Sequence, residues 1–308
     1  MFYPKSQKRK RYLNQKIKGL KLKFVSYVLN KLRITSWTRK FNIEGKSFYF
    51  EVDNLDLGLS RQLYFTDYRE FDSTIYFTKY LEEKKPKQIL ECGANIGYFA
   101  CLEKVFSPNS KVIAVEPIPS NFQLLCRNLS LNNFENIETI NAAFSDKEGT
   151  GIIYDFELKN WATMDESHAL KMKKLGYKYD EIEIGLINLD SFIIDKGVDL
   201  IRMDIEGFEY NILMNSKQLK NTKCDIFLEF HSNLLGKTKT LDLLKKLEND
   251  GYNDCYVVFN NPHCKNDEFF KYNGHHFKTD ILKLQQDISN VSLEEVKFQE
   301  GFELFLIK

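Results

Sequence analysis

A chain of 308 residues with 43% hydrophobic and 28% charged side chains can bury a full core and has an ordinary globular composition, which excludes bulk disorder. Its six cysteines, at 92, 101, 126, 224, 255 and 264, form no C-x-x-C pair and no disulfide framework, so a reducing, cytoplasmic setting is expected. No apolar run approaches the 18 or so residues of a membrane span, and Phe24–Leu29 is too short for a signal-peptide core.

The formal net charge of +1 conceals an asymmetry: residues 1–40 hold 13 Lys/Arg and no Asp/Glu, leaving 31 basic against 43 acidic side chains in the other 268. Within this head, Leu13, Ile17, Leu20, Phe24 and Val28 fall close to helical spacing, which predicts a basic amphipathic helix. Three readings compete for it: packing over the main domain, peripheral contact with an anionic membrane, or contact with RNA or another polyanion.

Residues 41–53, "FNIEGKSFYFEVD", alternate around Glu44-Gly45-Lys46 as a hairpin, and a helix is expected over 71–84. From 85 to 308 the pattern alternates strand and helix. Strands are expected at 87–92, 111–116, 136–144, 199–204, 224–230, 254–260 and 302–308. Helices are expected at 97–106, 119–132, 208–215 and 238–250. That order predicts an α/β, Rossmann-like, mostly parallel sheet of seven strands covered on both faces. The last run, "FELFLIK", has no helix after it and should lie antiparallel beside 254–260. Residues 149–190 form an insertion too long for an incidental loop, read as a substrate lid that carries Asn160, Trp161, Thr163 and His168.

Chemistry concentrates at strand ends. "ILECGANIGYFA" is a strand, a glycine loop and a helix start, with Glu91, Gly93, Asn95 and Gly97 in the junction. A dinucleotide fingerprint would place its second glycine where Asn95 stands, so the loop suits a nucleoside without a diphosphate. "KVIAVEPIPSNF" ends its strand at Glu116, where a carboxylate can accept from both hydroxyls of a ribose. Asp204 and Glu206 lie two apart at the end of the strand in "LIRMDIEGFE", and Glu229 and His231 are spaced alike at the end of "CDIFLEFH". If extended, each pair shares a face, and adjacent strand tips would present both pairs to one crevice.

The ordered motifs "ILECGANIGYFA", "VIAVEPIPSNFQLLCRNLSLNN", "NAAFSDKEG" and "LIRMDIEGFEYNIL" resemble the class I S-adenosylmethionine-dependent methyltransferases, and more narrowly the FkbM family. The likeness covers 87–260. Glu91 stands where the family more often has Asp, and Arg202 where it often has Lys. The resemblance implies S-adenosyl-L-methionine as cofactor and O-methylation of a hydroxyl on a sugar, glycan or similar scaffold, lipid-linked if the head lies on a membrane. It implies that Gly93, Asn95 and Gly97 shape the loop around the methionine moiety. Glu91 would lie near its amino group, Glu116 would hold the ribose, and Ser145 and Asp146 would meet the adenine.

For the chemical step, His231 is the expected general base by its ordinary pKa, with Asp204 as orienting acceptor and Glu206 and Glu229 beside them. The same acids would suit Mg²⁺, but the resemblance does not require a metal and none is expected. Cys255, His263, Cys264, His275 and His276 lack standard zinc-ligand spacing. The competing functions are an RNA methyltransferase and a non-catalytic scaffold subunit. No Asn/Asp-Pro-Pro-aromatic tetrapeptide of amino-methylating enzymes occurs, nucleic acid is not the expected partner, and a scaffold would be expected to have lost the loop glycines or Glu116.

Overall fold

Residues 27–28, 31–32, 36–53, 59–156, 162–258, 276–290 and 302–308 are described by the structure, a computed structural model. Strands β1 (Ser36–Ile43) and β2 (Lys46–Asp53) pair antiparallel with Phe41 opposite Phe48. Glu44 and Gly45 both have positive φ, 49° and 86°, which gives the two-residue turn whose twist matches the strands it joins. The hairpin begins five residues earlier than expected, so Ser36–Lys40 of the basic head are strand. The amphipathic helix expected further upstream lies almost wholly outside the described residues.

Helices α1 (Leu59–Phe65) and α2 (Phe71–Lys84) follow, the second at its expected bounds. Then come β3 (Gln88–Cys92), α3 (Tyr98–Phe106), β4 (Lys111–Val115), α4 (Pro119–Ser130) and β5 (Ile137–Ile140). After β6 (Ala143–Ser145), the insertion holds β7 (Gly149–Phe156), α5 (Glu166–Lys174) and β8 (Tyr179–Asn188). The chain continues through α6 (Leu189–Lys196), β9 (Leu200–Met203), α7 (Glu209–Asn215), β10 (Asp225–Phe230) and α8 (Ser232–Asn249). It closes with β11 (Asp254–Val258), β12 (His276–Asp280), α9 (Ile281–Asn290) and β13 (Phe302–Ile307).

The main sheet runs β12-β11-β13-β10-β9-β3-β4-β5. The strands from β10 to β5 are parallel, and β13 lies antiparallel between β10 and β11. The expected seven strands with one reversed are therefore present, and β12 adds an eighth, antiparallel to β11. Its sequence, HFKTD, has too little apolar alternation to announce a strand. The strand expected at 136–144 is two: β5 stays in the main sheet, whereas β6 leaves it for a separate sheet, β6-β8-β7. Asn141 marks the break, its side-chain amide donating to the carbonyls of Glu116 and Pro117. Helix α8 starts six residues before its expected bound because Gly236, at φ 73°, interrupts the helical geometry, and only the regular part beyond it carries the helical period.

Neighbouring strand residues divide between two cores, as a sheet covered on both faces requires. Leu90, Ile113, Ile201 and Leu228 join one; Ile89, Val112, Leu200 and Phe227 join the other, together with Phe41, Phe48 and Phe50 of the hairpin. Phe227 stacks on its cross-strand partner Phe305 at 3.7 Å between centroids. The hairpin is thus part of the second core, and it fixes the chain that follows it over the sheet's carboxyl ends.

Candidate active site

The carboxyl ends of β3, β4 and β9 meet the insertion around a cleft that is partly open to solvent. Its floor is the loop after β3. Gly93, Asn95 and Gly97 all have positive φ, 81°, 50° and 93°. The amides of Gly93 and Ala94 donate to the Val115 carbonyl at 3.0 and 2.9 Å. A Cβ on Gly93 would lie 2.1 Å from the backbone oxygen of Asp204, and one on Gly97 2.8 Å from Leu125 Cδ1. The nearest demand for glycine at both positions is close packing within the protein.

Glu116, just past the end of β4, lines the cleft. Its Oε2 accepts from the Asn95 amide and its Oε1 from the Ile118 amide, both at 2.9 Å. A carboxylate has about four acceptor positions, and the Asn121 side chain supplies a third donor beside the two amides. Burial pushes Glu116 up to about 7, against the pull of the Ile118 and Asn95 amides and the Asn121 side chain. Apolar walls rise beside it from Ile118, Ala142, Phe144, Ile153 and Met164. Thr163 and Ala162 of the insertion also line the cleft, as a covering element would, whereas Asn160 and Trp161 lie outside the described residues.

Three expected cofactor contacts fall elsewhere. Glu91 is 1% exposed and does not line the cleft. It faces Arg202 across the β3–β9 register and pairs with it at 2.6 Å, while the guanidinium lies 3.4 Å from the Phe99 ring centroid. The Arg202 ion pair takes up this acid inside the sheet. Ser145 and Asp146 border a separate polar hollow with Asn188 and Asp190, because β6 has left the main sheet; Ala142, Ala143 and Phe144 line the cleft in their place. Gly97 supports the loop from behind as the residue preceding α3.

The four expected catalytic residues do come together. Asp204 accepts from Arg69 at 3.1 Å and lies 3.5 Å from Arg202. His231 Nδ1 is 2.9 Å from Glu209 Oε1, and its Nε2 is 3.5 Å from Glu206 and 3.8 Å from Glu229. Glu209 also accepts from the amides of His231 and Gly207, at 3.1 and 2.8 Å. Glu209 and Arg69 were missed by the sequence reading. The signal for Glu209 was an acid at the start of a helix five residues after Asp204; Arg69, from the segment between α1 and α2, left none.

Burial raises a carboxyl and lowers an imidazole, and the neighbours decide the balance. Burial would push Asp204 up, but Arg69 and Arg202 hold it down at about 2. Burial, Asp204 and Glu70 push Glu229 well above the carboxylate range. Burial would lower His231, but Glu209, Glu206 and Glu229 pull it well above its ordinary value. A raised imidazole whose Nδ1 faces Glu209 at 2.9 Å favours its protonated form, which weighs against the general-base role expected for it.

The ligand-bearing atoms of Asp204, Glu206 and His231 lie within 4.8 Å of one another. Arg69 already supplies Asp204 with the positive charge that a hard cation would bring. Of the late histidine and cysteine residues, His263, Cys264 and His275 lie outside the described residues, and Cys255 is buried. Among the described residues no helix is long and apolar enough to cross a membrane.

Comparison with known proteins follows the same lines. The profile of the methyltransferase FkbM domain matches residues 91–253. Methyltransferase 1 of Beauveria bassiana is 25% identical over 142 residues, 41% of this chain and 56% of that protein. Methyltransferase sdnD of Sordaria araneosa is 29% identical over 151 residues, 41% and 58%. The chain thus spans a little over half the length of these curated relatives. Among solved structures, Aeropyrum pernix fibrillarin with natively bound S-adenosyl-L-methionine aligns at 12% identity and a TM-score of 0.43, over 88% of this chain and 82% of that one. The Bacillus cereus O-methyltransferase with bound SAH aligns at 10% and 0.39, over 77% and 81%.

Proposed function

The chain belongs to the FkbM methyltransferase family, and on that premise we propose that it transfers a methyl group from S-adenosylmethionine to a hydroxyl of a sugar, glycan or similar small scaffold. The observation that carries the reading is Glu116, a cleft-facing carboxylate just past the end of β4 whose oxygens are held in place by the Asn95 and Ile118 amides, both at 2.9 Å.

The residues present fit the cofactor. Glu116 would take the ribose hydroxyls, and Ile118, Phe144, Ile153 and Met164 offer apolar surface to a flat base. Bound there, the cofactor supplies a methyl group on a sulfonium whose departing form is a neutral thioether. The protein's task is then alignment and removal of a proton from the acceptor. A cluster of three carboxyls and an imidazole at the tips of β9 and β10 supports a hydroxyl acceptor, which must lose its proton. The head with its 13 Lys/Arg extends the proposal to an acceptor carried on an anionic membrane surface.

Calorimetric titration with S-adenosylmethionine, S-adenosylhomocysteine and NAD tests the reading. Micromolar binding of the sulfur nucleosides alone, lost in Glu116→Ala, supports it and licenses a screen of glycan acceptors with labelled methyl donor. A folded protein that binds neither nucleoside sinks it in favour of a scaffold role.

A further inference from the structure

The methyltransferase reading leaves unassigned the group that takes the acceptor's proton, and access to the cleft separates the candidates. Asp204 and Glu206 line the cleft, whereas His231 and Glu229 are not among the described lining residues, and His231 is 6% exposed. Asp204 is committed, since Arg69 and Arg202 lie 3.1 and 3.5 Å from its Oδ2. Glu206 is differently placed. It sits in the turn between β9 and α7 with φ 52°, a conformation rare outside glycine, and this turn brings its carboxyl to both the cleft and the imidazole, 3.5 Å from His231 Nε2.

Resting on the methyltransferase reading, we propose that Glu206 is the catalytic base, and that His231, clamped at Nδ1 by Glu209, is a positioning residue that holds the Glu206 carboxylate ready to take the proton. As the hydroxyl oxygen gains the methyl, the sulfur–carbon bond breaks with its electron pair left on sulfur. The hydroxyl proton passes to Glu206, so carboxyl, ether and thioether all end neutral.

The electrostatics agree with this placement. Burial and the carboxylates of Asp204 and Glu209 raise Glu206, His231 and Arg69 lower it, and it comes to rest at about 7, where a base can both accept and release a proton near neutral pH. The charged groups facing it are His231 before α8, Asp204 after β9, Glu209 on α7 and Arg69 from the N-terminal segment; Glu229 of β10 completes the set through His231. A sulfonium entering the same cleft would lower Glu206 further, so S-adenosylmethionine should expel a proton that S-adenosylhomocysteine does not.

The test needs no acceptor. Glutamate side-chain carboxyls and histidine rings are labelled and titrated by NMR between pH 5 and 9 in the full chain and in Glu206→Gln and His231→Gln. Proton release on binding each nucleoside is then measured by calorimetry at pH 7 in buffers of differing ionisation heat. The expected result is two carboxyls with midpoints near 7, those of Glu116 and Glu206, of which one is absent in Glu206→Gln and moved up by about one pH unit in His231→Gln, beside an imidazole that titrates above its ordinary range. S-adenosylmethionine should release more protons than S-adenosylhomocysteine in the wild type, and the difference should vanish in Glu206→Gln. An imidazole titrating near 7 with no carboxyl near 7 that Glu206→Gln removes, or proton release unchanged in Glu206→Gln, overturns the assignment and leaves the methyltransferase reading standing. Failure to bind either nucleoside overturns both.

Discussion

Gly93 and Asp204 are in backbone contact: a Cβ on Gly93 would stand 2.1 Å from the Asp204 carbonyl oxygen, and the Asp204 amide donates to Cys92 at 3.1 Å. The glycine loop is therefore packed directly on the strand tip that carries the acid cluster. Gly93→Ala must displace backbone and also strain a residue at φ 81°, so it should cost about 2–3 kcal/mol. Denaturant unfolding of the purified variant measures this; a loss under 0.5 kcal/mol would mean that the two backbones move apart freely.

Glu116→Ala removes the expected ribose acceptor and leaves the amides of Asn95 and Ile118 without their partner. Charge-assisted hydrogen bonds contribute about 1.5–3 kcal/mol, so affinity for S-adenosylmethionine should fall roughly 10- to 100-fold. Calorimetry at a temperature where the variant remains folded gives the number. Unchanged affinity would place the ribose elsewhere.

Once an acceptor is in hand, Glu206→Gln should lower kcat by about 10²–10⁴ while the variant still binds cofactor. The wild-type rate should rise with pH through about 7 as Glu206 ionises. His231→Ala should move that limb upward, because the positive neighbour that favours the carboxylate is gone. A His231→Ala enzyme that stays inactive at pH 9, paired with an active Glu206→Gln, would return the base to the imidazole.

Glu116 and Glu206 both stand at about 7 in the folded protein, raised by burial, against an ordinary value near 4.3 for the unfolded chain. Raised carboxyls favour the folded state below their unfolded pKa, and that contribution is lost as pH rises to about 7. Asp204 acts oppositely: held down at about 2, its contribution is present above about 4 and lost below it. Stability of the ligand-free protein should therefore decline between about pH 4.5 and 7, and the double variant Glu116→Gln/Glu206→Gln should flatten that slope. Thermal melts across this range decide it; an unchanged slope would deny that these carboxyls are raised.

Arg69 holds the Asp204 carboxylate at 3.1 Å, so dialysis against a chelator should leave nucleoside binding and methyl transfer unchanged. Activity lost to the chelator and restored by Mg²⁺ would assign Asp204, Glu206 and His231 to a cation instead.

The strand-loop-helix junction at 89–100 was legible because it is local: an apolar run, three left-handed positions and a helix start lie within twelve residues. The place of Glu116 at the cleft was legible for the same reason, since it stands at the end of a strand with Pro117 behind it. Glu91 was not, since its direction depends on Arg202, 111 residues away in sequence and opposite it only through the β3–β9 register. The break at Asn141 was hidden because the strand signal of 136–144 is continuous, while the carbonyls that Asn141 binds belong to the turn after β4.

Sequence by itself determined the α/β alternation, the reversed final strand, the glycine loop and the residues that gather at the strand tips, because periodicity and local chain geometry fix them. Tertiary structure alone decided which acids reach the cleft, that Arg69 and Glu209 join the acid cluster, and that Glu116 and Glu206 are raised toward neutrality. Those outcomes depend on burial and on charges brought together from distant segments, and protonation in a low-dielectric site is set by the sum of such neighbours rather than by any residue's own chemistry.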